Sequence, residues 1–352
     1  MNDKEIENEF EGIYKNQIEP NIHKLEDFRL KYAKKYNVVS RFSLFFISLG
    51  IISVIIQGVN NVIDIIPEQI IIPIFVTSVI LFIILNIYKT KLLKNYKKVV
   101  KPVILEPILS IFGKLKVVNN SLLSLKEIKS TGLYYNTQNQ KDDDNIYGTY
   151  NGIDIAIVET KLSHIERTGN SDDDRNEIID FNGLILKIKM NKNFEGMTIG
   201  EQITSINNYI KIKNGKLCVD IFDQYTRNKV TKKLEKINLE DPEFNQNYNV
   251  YSDSQVEAKY LLSPTFIEKI KNIQSIFLVA SVNFAFKENM IYLFLDGNTF
   301  TKYANRENKH GFFEVGDIND TLTNKDIYLK LFKEFIRIFL LVDYLKLCQS
   351  ND

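Results

Sequence analysis

Three histidines could do chemistry in this chain, His23, His164 and His310, but they fall in separate stretches and no two have the spacing of paired metal ligands. His164, in Lys161-Leu-Ser-His-Ile-Glu166, could meet Glu159 or Glu166 across a hairpin, although a solvated strand-end imidazole is the plainer expectation. Glu159 and Asp180 stand near predicted strand ends and could pair for acid–base work. A lone carboxylate there is more often a turn cap or a surface charge. Asp172-x-Asp174-x-Asn176 starts like a calcium loop, yet Glu177 occupies the place that needs glycine and Gly183 the place that needs a bidentate glutamate. That stretch and Asp142–Asp144 therefore read as solvated loops. The chain has no H-E-x-x-H, no G-x-x-x-x-G-K-[ST] and no G-x-S-x-G, so no cofactor or metal is expected from its motifs. Cys218 and Cys348 form no C-x-x-C pair, which argues against a zinc ribbon or a disulfide framework.

The concentrated charge lies in Lys89–Lys101 (KTKLLKNYKKVVK). Formal net charge is only +1, from 45 basic and 44 acidic residues, and Tyr96 is the one aromatic within the stretch, so nucleic acid is not an expected partner. The lysines suit a membrane surface, where each basic residue near anionic headgroups contributes about 1 kcal/mol. Lys94, Lys97 and Lys98 are the expected contacts.

The elements that would hold them there are two apolar runs, Arg41–Gln57 and Ile70–Tyr88, each near the ~20 residues of a membrane-crossing helix. Between them Gly58–Gln69 carries Asp64 and Glu68 and no Lys or Arg. Outside them lie Lys24, Arg29, Lys31, Lys34, Lys35 and Arg41 on one flank and Lys89, Lys91, Lys94, Lys97, Lys98 and Lys101 on the other. That distribution places both termini in the cytoplasm. About 40 charged and polar residues precede the first run, too many for a cleaved signal peptide. Ser43, Ser48, Gly50 and Ser53 dilute that run and allow close approach of a second helix. Pro73 is expected in the first turn of its helix.

Residues 1–40 read as an amphipathic helical arm, with Ile6, Phe10 and Ile13 on one stripe, a break at Pro20, and Leu25, Phe28, Tyr32 and Tyr36 beyond it. The expected partner is the helical connector 89–130, interrupted at Pro102 and Pro107. From 131 to 352 the period turns to alternation. Ile146–Tyr150 and Ile153–Val158 flank Asn151-Gly152, a type I′ hairpin signal, and Phe181–Met190 is a further strand. Strands are also predicted at 216–222, 232–237, 248–251, 276–286 and 290–295. Ser254-x-x-Glu257 reads as a capping box, Ser263-Pro264 as a second helix start, and 324–348 as a closing helix with Lys330, Lys333, Glu334 and Arg337 on its wet side. Polar stretches 136–144 and 169–176 read as loops. The class is α+β: an N-terminal helical arm and a two-helix transmembrane hairpin (41–88), followed by a mixed strand and helix domain closed by a C-terminal helix.

Three blocks of the chain stand out together. The first is Ile128-Lys-Ser-Thr-Gly-Leu-Tyr134 with Tyr147-Gly-Thr-Tyr-Asn-Gly152 and Glu159. The second is Phe181-Asn-Gly-Leu184 with Asn193-Phe-Glu-Gly-Met-Thr198. The third, the most specific, is Leu239-Glu-Asp-Pro-Glu-Phe244 running into Val250-Tyr-Ser-Asp253, Glu257-Ala258 and Leu261-Leu-Ser-Pro-Thr-Phe266. Together the blocks resemble a bacterial membrane-protein family known as domain of unknown function 3137. The resemblance implies an N-terminal helical arm and paired membrane spans ahead of this domain, and it carries over no activity or catalytic residue. With the Lys and Arg distribution above, the expected place is the bacterial inner membrane, multi-pass, with both termini and the α+β domain cytoplasmic.

The expected function is accordingly a non-enzymatic binding or scaffold domain held at the bilayer, its partners being the membrane, anionic headgroups and a protein of unknown identity. A membrane-tethered enzyme with a carboxylate site is the alternative. Transport is disfavoured, since neither span contains an intramembrane charge.

Overall fold

The structure, a computed structural model, describes residues 8, 10–63, 67–167, 175–203, 210, 212–213, 215–222, 229–277, 279–297 and 312–347. His310, Cys348, Asp64 and Asp172–Asp174 lie outside the described residues. Two compact units divide the chain: Met1–Pro107 with Val315–Leu329, and Ile108–Glu314 with Lys330–Asp352.

The first unit is built on α1 (Glu19–Ile63) and most of α2 (Glu68–Leu109), both long and apolar enough to cross a membrane. Helical arm and apolar run are therefore continuous, and the chain does not break at Pro20. A π-helical turn at Tyr14–Ile18 leads into that proline, with the Glu19 N–H donating to Tyr14 O. Pro73 is also not in the first turn, because α2 begins at Glu68 and places it in the helix interior, where Thr77 Oγ1 donates to its carbonyl at 2.7 Å. Pro102 and Pro107 likewise lie inside α2.

A polar seam joins the two helices. Ser43, Ser53 and Ser78 are buried in it. Asn86 Nδ2 donates to Ser43 Oγ at 3.0 Å, and Lys89 Nζ to Ser40 Oγ at 3.3 Å. At Gly50 an added Cβ would lie 3.0 Å from Ser78 Oγ, so the small residues set the approach distance. The outward side chains are apolar and uncovered, with Leu44 65% and Ile87 64% exposed.

The second unit is an antiparallel sheet. Its strands are β1 (Gly113–Val118), β2 (Asn139–Tyr150), β3 (Ile153–Arg167), β4 (Arg175–Lys189), β5 (Thr198–Gln202), β6 (Ile212–Lys213), β7 (Lys216–Phe222), β8 (Lys229–Ile237), β9 (Tyr248–Ser252), β10 (Ser281–Lys287) and β11 (Met290–Asp296). Among the described residues the order is β1-β2-β3-β4-β11-β10-β5-β9-β8-β7-β6. Its helices are α3 (Leu125–Ser130), α4 (Pro242–Asn247), α5 (Gln255–Leu261) and α6 (Pro264–Phe277), and α7 (Lys325–Leu347) enters it from Lys330. The α+β class stands.

Several boundaries differ from the sequence reading. The connector 89–130 contains β1, whose Lys114 and Lys116 flank a buried Leu115 as on a sheet edge. The polar run 139–144 is strand, held by pairing of Asn139–Asp142 with Thr160–Ser163. Ile276 and Phe277 end α6 rather than begin a strand. Asn151 and Gly152, at φ 47° and 79°, make the predicted type I′ turn.

Both faces of the central strands are covered. Tyr134, Phe181, Ile185, Ala285, Tyr292 and Phe294 belong to one cluster with Ile128 of α3. On β10 the alternate residues Phe284 and Phe286 instead meet Phe266 of α6, at 6.4 and 5.5 Å between ring centres. Phe339 of α7 stacks on Phe112 at 4.5 Å and meets Tyr150 at 4.6 Å. Double burial explains why β10 and β11 read as nearly continuous apolar runs.

Candidate functional site

The sequence-predicted chemical residues divide into separate settings. His164 Nδ1 lies 2.7 Å from Asp180 Oδ1, and Thr137 Oγ1 donates to Asp180 Oδ2 at 2.8 Å. The imidazole partner is thus Asp180 rather than Glu159 or Glu166, and the ring is half-buried rather than a solvated strand end. A register shift between Leu162 and Ser163 allows this, since it turns Asp180 back toward β3 opposite the break.

Glu159 takes other partners. Its Oε1 accepts the Phe312 N–H at 2.8 Å, and its carboxylate gathers with those of Asp143 and Asp144 within 4.8 Å. Asp144 and Glu159 are buried, Asp143 is exposed, and none of the three is free. Nothing in the spacing of the chain links Asp143 and Asp144 to Glu159. The β2–β3 register, with Asn145 opposite Val158, brings them together. Glu159 and Asp180 thus contact different groups: Glu159 the Phe312 N–H, Asp143 and Asp144, and Asp180 the side chains of His164 and Thr137.

A shallow cavity between β-strand residues Ile153 and Ile188 and helix residues Phe266 and Val342 measures 10 Å³, with Lys192 and Ser263 among its lining. That is room for about one enclosed water.

The basic residues have a different setting. Lys94 and Lys98 are exposed on α2, while Lys97 is half-buried and engaged by neighbours. Tyr96, between them, is buried against α1, its ring 6.4 Å from Phe28 and 6.1 Å from Tyr32. Burial pushes its phenol up to about 12. Lys89, besides its bond to Ser40, lies 5.2 Å over the Tyr36 ring. These contacts put the lysines of α2 beside the basic residues of α1. The connector was the expected partner of the arm, and Tyr96 fulfils that role.

A second partner was not legible in the sequence. Val315–Leu329 runs along α1 in the same unit. Arg29 Nη1 donates to Ile318 O at 2.8 Å, the Leu322 N–H to Glu26 Oε2 at 3.0 Å, and Asn37 Nδ2 to Asn319 Oδ1 at 3.0 Å. Lys325 pairs with Glu11, and Tyr328 packs on Tyr14 at 5.7 Å. Bonding to the Arg29 guanidinium, then to the Leu322 amide, holds the Glu26 carboxyl below the usual carboxylate range.

Fold and site define a class first: an α+β domain in a chain that also carries two helices long and apolar enough for a membrane. Residues 179–347 match the family model described as "Protein of unknown function (DUF3137)", which bears out the resemblance read from the sequence blocks. The second and third blocks fall inside the matched segment, and the first lies upstream of it. Among curated proteins none matches the chain. A solved structure, that of the mycobacterial trehalose monomycolate transport factor A, TtfA, is similar over 58% of this chain and 75% of its own, at 7% identity and a TM-score of 0.25. That score is too low to carry either fold or role across.

Proposed function

We propose that this chain is a two-span protein of the bacterial inner membrane whose cytoplasmic α+β domain binds a partner protein or lipid headgroups rather than turning over a substrate. The observation that carries the reading is the uncovered apolar surface of α1 and α2. Leu44, Phe45, Ile55, Ile83, Ile84 and Ile87 are each half or more exposed. At that exposure each such side chain forfeits roughly half of the ~1.5–3 kcal/mol that full burial is worth, which a bilayer restores. Spans at 41–57 and 70–88 leave every Lys and Arg of the pair on the same side, so both termini are cytoplasmic. Lys94, Lys97 and Lys98 then lie next to the headgroups.

Reporter fusions test this. A fusion at Asn61 should report the periplasm and one after Asp352 the cytoplasm, and periplasmic activity at the C-terminus would overturn the topology. For the binding role, Glu159→Gln should leave the biological phenotype intact wherever the protein remains folded. Complete loss with unchanged stability would turn the reading toward an enzyme centred on Asp143, Asp144 and Glu159.

A further inference from the structure

We propose that anionic phospholipid headgroups are held by a collar contributed equally by both helices: Arg41, Lys35 and Lys34 of α1 with Lys91, Lys94 and Lys98 of α2. The inference rests on the two-span reading above and extends it to residues of α1.

The register of the pair carries the argument. Ser43 meets Asn86, Ser40 meets Lys89, and Tyr32 meets Tyr96, so a residue on α1 lies level with the one on α2 that brings their numbers to about the same sum. Arg41 is thereby level with the turn before Lys91, and Lys34 and Lys35 with Lys94. From the apolar edges at Phe42 and Tyr88, Lys91 lies about 5 Å into the polar zone, Lys94 about 9 Å and Lys34 about 12 Å, at 1.5 Å per residue. Those depths are comparable with the ~8 Å screening length of physiological salt, and lysine stems can reach back toward the headgroups. Lys98, at about 15 Å, is the outermost member.

All six are exposed. Local neutralisation is small. Phe28–Arg41 and Asn86–Leu105 contain no Asp or Glu. The carboxylates facing this level from the other element of the unit are Asp317 and Asp320, beside Arg29 and Tyr96. Their loop meets α1 at Asn37, through Asn319. Lys35, two residues from Asn37, is nearly opposite on the helix circumference, and Arg41 is one turn nearer the apolar edge. A band of positive charge beside an apolar surface matches an anionic leaflet in both charge and position.

The test uses the purified full chain in lipid nanodiscs and detergent, where topology is not re-decided by charge. Native mass spectrometry would compare retention of phosphatidylglycerol with that of phosphatidylcholine. Wild type should retain the anionic lipid preferentially. Combined Lys34→Gln, Lys35→Gln and Arg41→Gln should weaken that retention by at least about tenfold, less than the full fivefold or so per residue because the outer lysines lie beyond one screening length, and Lys91→Gln, Lys94→Gln and Lys98→Gln should do the same. Charge-keeping Lys34→Arg, Lys35→Arg and Arg41→Lys should preserve it, which separates charge from folding. Loss confined to the α2 variant would show that the linear stretch acts alone and overturn the collar, as would equal retention of the two lipids by wild type. Extraction of wild type from membranes by alkaline carbonate would instead overturn the two-span reading on which the collar rests.

Discussion

Arg29, buried on the long first helix, donates to the carbonyl of Ile318, 289 residues further along the chain, at 2.8 Å. Its other nitrogens hold Glu26 at 2.6 and 2.9 Å, and Glu26 in turn accepts the Leu322 amide. One guanidinium thus fastens a late segment of the chain onto its N-terminal helix. Replacing Arg29 with Met keeps the stem but leaves a buried carbonyl and a carboxylate without their cation. The expected loss is about 3 kcal/mol, measured by chemical unfolding of the full chain in detergent, with faster proteolytic cutting within 315–329. Unchanged unfolding and cutting would show that the clasp does not depend on this residue.

Two glutamates should shift the pH dependence of stability in opposite directions. Glu26 has a folded-state pKa below its ordinary 4.5, so its stabilisation is present above that pH and is lost as pH falls through the native value. Glu334 is the reverse. Desolvation raises its pKa above 4.5, against the Phe313 N–H that it accepts at 3.1 Å and the Lys330 and Arg337 charges, while Glu314 adds to the rise. The folded state therefore keeps that proton longer, and stability declines as pH rises from about 4.5 through the native value. Glu334→Gln should be relatively more stable at pH 7 than at pH 4, and Glu26→Gln relatively less stable at pH 7. Unfolding midpoints of the three proteins across that range decide it, and parallel curves would contradict both assignments.

Gly50 tests the helix seam. Alanine there requires Ser78 to shift by a few tenths of an ångström and should be nearly tolerated, whereas Leu has no room and should pry α1 from α2. Disulfide trapping between cysteines placed at Ser43 and Asn86, now in hydrogen-bond contact, should be efficient in wild type and in Gly50→Ala and should fall severalfold in Gly50→Leu. Equal trapping in all three would mean that the seam does not depend on the glycine.

Phe335 tests the sheet domain. It is fully buried, stacked on Phe313 at 4.6 Å between ring centres, with Phe339 beyond it at 6.5 Å. A carboxylate there has no partner and removes an aromatic from the core, a loss of about 3–5 kcal/mol or more, enough to unfold a typical domain. Phe335→Asp should abolish the cooperative thermal transition, while Leu340→Asp, at an exposed position of the same helix, should leave it in place.

The paired apolar helices, the α+β class and most strands were legible in the chain itself, because each is a local periodic signal. Runs of ~20 apolar residues, period-two alternation at Lys216–Phe222, and the Asn151-Gly152 turn need no distant partner to be read. Ser254 is an intermediate case. It caps α5 as its spacing predicts, at 3.3 Å to the Glu257 amide, but the Glu257 carboxylate accepts the Glu195 and Gly196 amides at 3.2 and 2.7 Å instead of closing the box. Strand β1 and the polar start of β2 were hidden, since Lys114, Lys116 and Asp142–Asp144 show solvent-facing composition and their strand identity comes only from cross-strand pairing. The pairings of His164 with Asp180, of Glu159 with Asp143 and Asp144, and of Arg29 with Ile318 depend on strand register and long-range packing. Such contacts leave no periodic trace in sequence, because a register shift of one residue would change every partner while leaving composition and local pattern untouched.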